Sequence, residues 1–434
     1  MISSKILDKL ILISILAVFV TSMFMPSDVI GLVALATVGL SVFRRLAVRK
    51  THPTDYKLST INPQLYLLAY FMIVVISLAG STLFALSLTG FLKTVIYLGF
   101  YASVVPYIKD NKDKIPLIFG TIAVCAGFEG VAGFLQNFAG VNEISTWQDV
   151  SALNPEDVMT RVYGTLKPYN PNLLGGYLAA CVPCVFGMFA YCLTTKEKLV
   201  EKNKPSTLNP QPSTLLWLFA ALLTSAALFA TGCRGAYVAF MVMLICMFLV
   251  SAKFLWQNYK KIWLSACGLA VLLMSTAVLC VGSLRARVGS MFAMRQDSSN
   301  SFRFNVYQSS FEMFKDNWLL GIGVGNKNFR EIYGLYMKTG FDALSAYNVF
   351  LEIAVESGIF ALIAFLGFLA TLIRRAVLFI KNSSDIKNVI FVSAALTSIL
   401  AVMAHGMVDT VFFRPQIQFV FWTMAATCTA CRPD

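Results

Sequence analysis

The sequence predicts an all-α, polytopic integral membrane protein with about twelve transmembrane helices, on three observations. Of 434 residues, 57% are hydrophobic and 13% charged, with a mean hydropathy of +0.70, more apolar surface than a soluble core can hide. The apolar residues gather into runs of roughly 20, the length needed to cross a bilayer core about 30 Å thick. The 35 Lys and Arg outnumber the 22 Asp and Glu, and their distribution among the connecting segments follows membrane topology, so no nucleic-acid partner is needed to explain them.

The first expected span, residues 8–25, follows Lys5 and Lys9. It imitates a signal peptide, but MPSDVIG offers no small-x-small cleavage site and a second span, 28–43, begins at once, so it counts as a helix. Spans 63–86, 88–106 and 116–138 follow, then 173–194 after two Asn-Pro type turns. TGCRG separates 214–231 from 235–254, and 262–282 precedes a long polar stretch. The last three spans are 349–372, 388–408 and 416–431. Residues 1–434 thus form a single transmembrane domain, with a large outward loop, 283–348, inside it.

With the amino terminus inside, the inward segments carry 22 basic residues, and the short outward ones only Lys93, Arg161, Lys167, Arg234 and Arg414. This asymmetry predicts that both termini are cytoplasmic. The ten cysteines, including those of CVPC and CTAC, fall almost entirely within spans and suit small apolar fillers better than a metal or redox site. No Walker loop or nucleotide-binding pattern occurs in the inward connections. No metal or cofactor is expected.

The outward segments hold the polar chemistry. TRVYGTLKPYNPN contains Arg161 and leads into the sixth span. SFRFNVYQSSFEMFKDNW sets Phe304, Tyr307, Phe311 and Phe314 at helical spacing, which predicts an amphipathic helix on or near the outer membrane surface. In LLGIGVGNKNFREIY, glycines at alternate positions, Gly323 and Gly325 among them, precede a second short helix. Such a turn either exposes backbone N–H groups to an anion or is a tight connector. Arg234 lies at the outer membrane edge, flanked by Gly232 and Gly235, where it is an interfacial anchor or part of a binding site. Arg161, Arg303 and Arg414 fall on the same side. Guanidiniums that converged there would suit an anionic ligand with several oxygens, because their planar fork binds phosphate or carboxylate bidentately.

These motifs, taken in order from TRVYGTLKPYNPN through TGCRGAY, SFRFNVY and LLGIGVGNKNFREIY to AYN with a glycine ten residues after the Asn, resemble the O-antigen ligase and polymerase superfamily of bacterial membrane proteins. YGLYMKTGFDALSAYNVFLEIAVESG and HGMVDTVFFRPQIQFVFW are similar to a cyanobacterial branch labelled as bicarbonate transporters. The superfamily resemblance implies an inverting, metal-independent glycosyl transfer at the outer face of the inner membrane, with an undecaprenyl-diphosphate-linked glycan as donor. In it the arginines at Arg234 and Arg303 would hold the diphosphate. The branch resemblance implies, as the alternative, a carrier of bicarbonate or another small anion, or an accessory factor for one.

The superfamily motif has a histidine followed by Asn, Ser or Gln, nine residues, then Gly-x-x-Gly. Here Tyr347, Asn348, Gly358 and Ala361 stand at those places. A tyrosine with a pKa near 10 is a poor general base at neutral pH, although it can donate a hydrogen bond. Only His52, in an inward loop, and His405, near the outer end of the eleventh span, could stand in. Four residues separate His405 from Asp409, so a carboxylate and an imidazole share a helical face, with Arg414 following. The group is either catalytic or a buried polar cluster that fixes a turn. Glu352 and Glu356 likewise share a face of the tenth span, as pocket residues or as structural partners of Arg234 or Arg303.

Overall fold

A computed structural model describes residues 4–47, 62–139, 161–200, 212–293 and 297–431, and among them the regular elements are helical. Two helices, α1 (Ser4–Phe24) and α2 (Ser27–Ala47), precede α3 (Pro63–Gly80), α4 (Phe84–Asp110) and α5 (Ile115–Ala139). Then come α6 (Pro171–Val200), α7 (Pro212–Ala230) and α8 (Arg234–Cys280). Three short helices follow, α9 (Gly282–Gly289), α10 (Ser298–Asp316) and α11 (Asn326–Tyr333), before α12 (Val349–Asn382), α13 (Ile386–Gly406) and α14 (Pro415–Ala430). Among the described residues, eleven stretches are long and apolar enough to cross a bilayer. The chain is a multi-pass membrane protein. His52 and residues 141–160, between the fifth and sixth spans, lie outside the described residues.

Two elements depart from simple spans. In α8, Tyr259 leaves the helical region at φ −129°, ψ 24°. The rings of Phe248 and Trp263 lie 4.4 Å apart, whereas fifteen residues of straight helix would separate them by about 22 Å. The chain therefore doubles back at Tyr259, giving the two separate spans the sequence predicts. The last expected span is α14, whose 16 residues reach only about 24 Å. It is buried along its whole length and packs among α4, α12 and α13. Phe419 stacks edge-on against Tyr97 and Phe100, and Trp422 against Tyr101. The core is thus aromatic and centred on α14, with the largely buried α6 and α13 beside it.

On α10, Val306, Ser309, Ser310 and Met313 are buried, while Phe304 and Phe311 are exposed. Val306 and Met313 join a satellite core with Phe329, Tyr333 and Val355, against which Phe314 also packs, so α10 sits down on α12.

The ends of the helices sort into two sets. Arg44, in the last turn of α2, pairs with Asp110 at the end of α4 at 3.2 Å. Lys253 donates to the Ile380 and Lys381 carbonyls near the end of α12. At the opposite end of α2, Asp28 lines a cavity that Lys93, within α4, also lines. Along α2, Asp28 and Arg44 stand about 24 Å apart.

Candidate functional site

The cavity has a volume of about 1170 Å³ and gathers residues from nearly every outward connection. Arg161, Arg234, Arg303 and Arg414 all line it, together with Arg287, Lys93, Lys327 and Arg330. Of the five basic residues expected on the outward side, four, Lys93, Arg161, Arg234 and Arg414, are therefore cavity residues, with Lys93 standing on α4.

Each arginine is placed by a different piece of local structure. The loop before α6 is pinned to α5 by two side chains seven residues apart on one face. Gln136 Oε1 accepts from the Tyr163 and Gly164 amides, and Glu129 accepts from the Thr165 amide and hydroxyl. The Arg161 side chain then donates to the Thr231 carbonyl at 2.8 Å and to Asn172 Oδ1. Arg234 Nη1 lies 3.0 Å from Asp297 Oδ1, the residue that caps α10, and bonds Ser290. Arg287 Nε donates to the Gly232 carbonyl at 2.7 Å. Arg303 donates to the Val408 carbonyl at 2.9 Å and to Ser299 Oγ at 2.6 Å, with Nη2 3.9 Å from Asp409 Oδ2. The Arg414 side chain makes no hydrogen bond or ion pair to the described residues, and the residue is exposed.

These positions are electrostatically costly. Burial lowers the pKa of Arg161, and Arg234 alongside adds to this. Burial, with Arg161 and Arg234 nearby, brings Arg287 down to about 10. All remain charged at neutral pH, so the cavity carries a concentrated positive potential that a bound anion relieves.

Asp409 is at the centre of a network. Its Oδ2 accepts from Asn172 Nδ2 at 3.1 Å and faces Arg303, while its Oδ1 accepts from the Thr410 amide. It thereby links Arg303 through Asn172 to Arg161. His405, expected to share this carboxylate, instead points its Nε2 at Cys233 Sγ, 3.6 Å away, and does not line the cavity. The reason is local: α13 ends at Gly406, so Asp409 lies beyond the helix on which the i, i+4 relation was reckoned.

The Tyr-Asn pair divides. Tyr347 lines the cavity at φ 51°, its ring edge-on to Phe302 and 5.9 Å from the Arg303 guanidinium. Its hydroxyl bonds none of the described residues, and burial, reinforced by Asp409, raises its pKa above the ordinary tyrosine value. Asn348, expected beside it as catalytic, is the N-cap of α12. Its Oδ1 accepts from the Phe350 and Leu351 amides and its Nδ2 donates to the Met407 carbonyl. Both ends of the amide are committed to joining α12 and α13.

The four residues expected to line the pocket, Gly323, Gly325, Glu352 and Glu356, lie elsewhere. α12 is broken at Gly358, φ 81° and ψ 176°, and residues 319–325 lie along the break. The Ile322 and Gly323 amides donate to the Val355 and Glu356 carbonyls, and the Gly325 amide donates to Glu356 Oε1 at 2.9 Å. The amides of the glycine-rich turn are met, but by the backbone carbonyl and carboxyl group of the chain's own Glu356. Neither glutamate pairs with Arg234 or Arg303, whose partners are Asp297 and Asp409.

Sequence reasoning missed Arg287, Asn172 and Asp28 as lining residues. Arg287 sat among eight basic residues of the long loop with nothing to single it out. Asp28 lay in a turn inspected only for cleavage.

Residues 219–366 match the family model described as O-antigen ligase. That segment runs from α7 into α12 and contains Arg234, Arg287, Arg303 and Tyr347. No curated protein matches the chain. The match over residues 219–366 supports the superfamily expected from the motifs and does not single out the branch labelled as bicarbonate transporters.

Proposed function

We propose that the chain is an O-antigen ligase-like inverting glycosyltransferase that moves a glycan from an undecaprenyl-diphosphate carrier to an acceptor. The transfer takes place at the outer face of the inner membrane, with both termini cytoplasmic and residues 283–348 facing outward. The observation that carries this is the two-sided makeup of one cavity. Six arginines, at 161, 234, 287, 303, 330 and 414, share it with Leu32, Leu35, Ile96 and Tyr97 of α2 and α4. Leu32 and Leu35 are 65% and 44% exposed, so this wall continues onto the face a spanning helix shows to lipid. A lipid-linked diphosphate is divided the same way, with an apolar chain and a charged head.

In the reaction, an acceptor oxygen attacks the anomeric carbon from the face opposite the diphosphate. The bond to the diphosphate breaks, and its electron pair leaves on the phosphate oxygen. Arg234, Arg287 and Arg303 stabilise that developing charge, an effect amplified where water is excluded. Asp409 positions Arg303 and, through Asn172, Arg161. Of the two aspartates in the lining, Asp28 is exposed and bonds none of the described residues, and it takes the acceptor proton. Tyr347 donates a hydrogen bond.

The test measures release of undecaprenyl diphosphate and surface glycan attachment in wild type, Arg234→Ala and Arg303→Ala, with membrane insertion as a control. Both activities are expected to fall by about two orders of magnitude or more in each variant. Undiminished glycan attachment in both would overturn the reading and make anion flux into liposomes the next measurement.

A further inference from the structure

Besides its cations, the cavity wall holds a thiol. Cys233 stands at the turn between α7 and α8, immediately before Arg234, and lines the cavity while being itself buried. Its Sγ lies 3.6 Å from His405 Nε2. His405 is seated by missing side chains: a Cβ on Gly235 would come 2.4 Å from its Cδ2, and one on Gly176 3.0 Å from its Cε1. Two helices thus give up their side chains to hold one imidazole against one sulfur. Among the described residues no other histidine exists to activate any of the remaining cysteines.

We propose that Cys233 and His405 form an activated thiol in the wall of the cationic cavity, a modification site for small negatively charged electrophiles and disulfides. The imidazole accepts the thiol proton and leaves the thiolate, the form that attacks. Burial raises the Cys233 pKa and Asp409 adds to this, but His405 and Arg161 outweigh both and bring it below the ordinary thiol value. Arg161, Arg234 and Arg287 raise the local concentration of anionic reagents and lower that of cationic ones. With a thiosulfonate, the thiolate attacks the divalent sulfur. A new S–S bond forms, the S–SO2 bond breaks, the sulfinate departs with the electron pair, and the proton stays on His405. The adduct occupies space beside Arg161 and Arg234. That it then blocks the donor rests on the function proposed above, whereas the reactivity itself does not.

The experiment labels the whole protein in nanodiscs with 2-sulfonatoethyl methanethiosulfonate or its trimethylammonium counterpart and maps the modified cysteines by peptide mass over time. Cys280, which is exposed, is the reference. Cys233 is expected to react first with the anionic reagent, at least about tenfold faster than with the cationic one, and about tenfold slower in His405→Gln. Labelling of Cys280 ahead of Cys233, or a rate indifferent to His405→Gln, would overturn the proposal. If His405→Gln does not insert, the reagent ratio at Cys233 in the wild type decides, with Cys233→Ser confirming which phase is lost. A ratio of one or less counts against the proposal. Slowing of the reaction by inorganic diphosphate reports separately on the donor site, so the two readings fail independently.

Discussion

The cavity arginines differ in what each leaves behind when removed. Arg234→Ala leaves Asp297 without its ion pair, and Arg303→Ala leaves the Val408 carbonyl and one side of Asp409 unpaired. Each such loss costs stability as well as charge. The Arg414 side chain has no such partner among the described residues, so its removal should subtract mainly charge. For Asp28, the proposed proton acceptor, Asp28→Asn should lower kcat by about two orders of magnitude or more while donor affinity holds, a split that steady-state kinetics and a binding isotherm resolve together. An equal fall in donor affinity would assign it to binding instead. Tyr347 behaves differently: with a raised pKa it stays protonated at neutral pH, so Tyr347→Phe should cost only a hydrogen bond, about tenfold in turnover, and should not change the shape of the pH profile. Asn348→Ala removes a helix cap and should lower stability by about 1 kcal/mol, seen as a lower midpoint in thermal unfolding.

At the scale of elements, the break in α12 matters most. Residues 319–325 supply the hydrogen bonds the broken helix lacks, and both strands must come close enough to exchange them. A Cβ at Gly358 would come 2.2 Å from the Leu319 carbonyl oxygen, at a φ side chains rarely adopt. Gly358→Ala should therefore destabilise the protein by about 3 kcal/mol or more, measured as lost yield and an earlier melt. A variant that expresses and melts like wild type would contradict this packing. This contact was the least legible feature in the sequence. The glycine spacing did signal amides free to meet an acceptor, but the carboxyl group they meet lies 31 residues away in the chain, and spacing carries no information about such a partner. On α10 the spacing of Phe304 and Phe311 marked an apolar stripe that stays exposed, and it could not show that Val306 and Met313 face the satellite core. The spans were legible because bilayer thickness imposes one length on nearly all of them, the two halves of α8 on either side of Tyr259 included. The short α14 shows how far that rule stretches when protein replaces lipid around a helix.

At the scale of the whole molecule, two charge patterns overlap. Most basic residues follow the pattern expected of a chain whose termini share one side of the membrane, whereas four of the five expected on the other side outside the long loop, Lys93, Arg161, Arg234 and Arg414, line one cavity. The exceptions to the topological pattern thus marked the site, while the convergence itself required the fold. A cavity whose affinity rests on several guanidiniums should also respond to ionic strength, since its exposed members are screened beyond about 10 Å at 0.1 M salt. Donor affinity should fall as salt is raised from 0.05 to about 0.5 M, with a shallower dependence in Arg414→Ala.

The most direct test of the central claim, that this cavity holds a lipid-linked diphosphate, is the affinity of wild-type and Arg414→Ala protein in nanodiscs for an undecaprenyl-diphosphate-linked oligosaccharide, with thermal unfolding run in parallel. The account predicts saturable binding to the wild type, about tenfold weaker binding to Arg414→Ala, and the same melting temperature for both. Absence of donor binding by the wild type, or equal affinity in the two proteins, would contradict it.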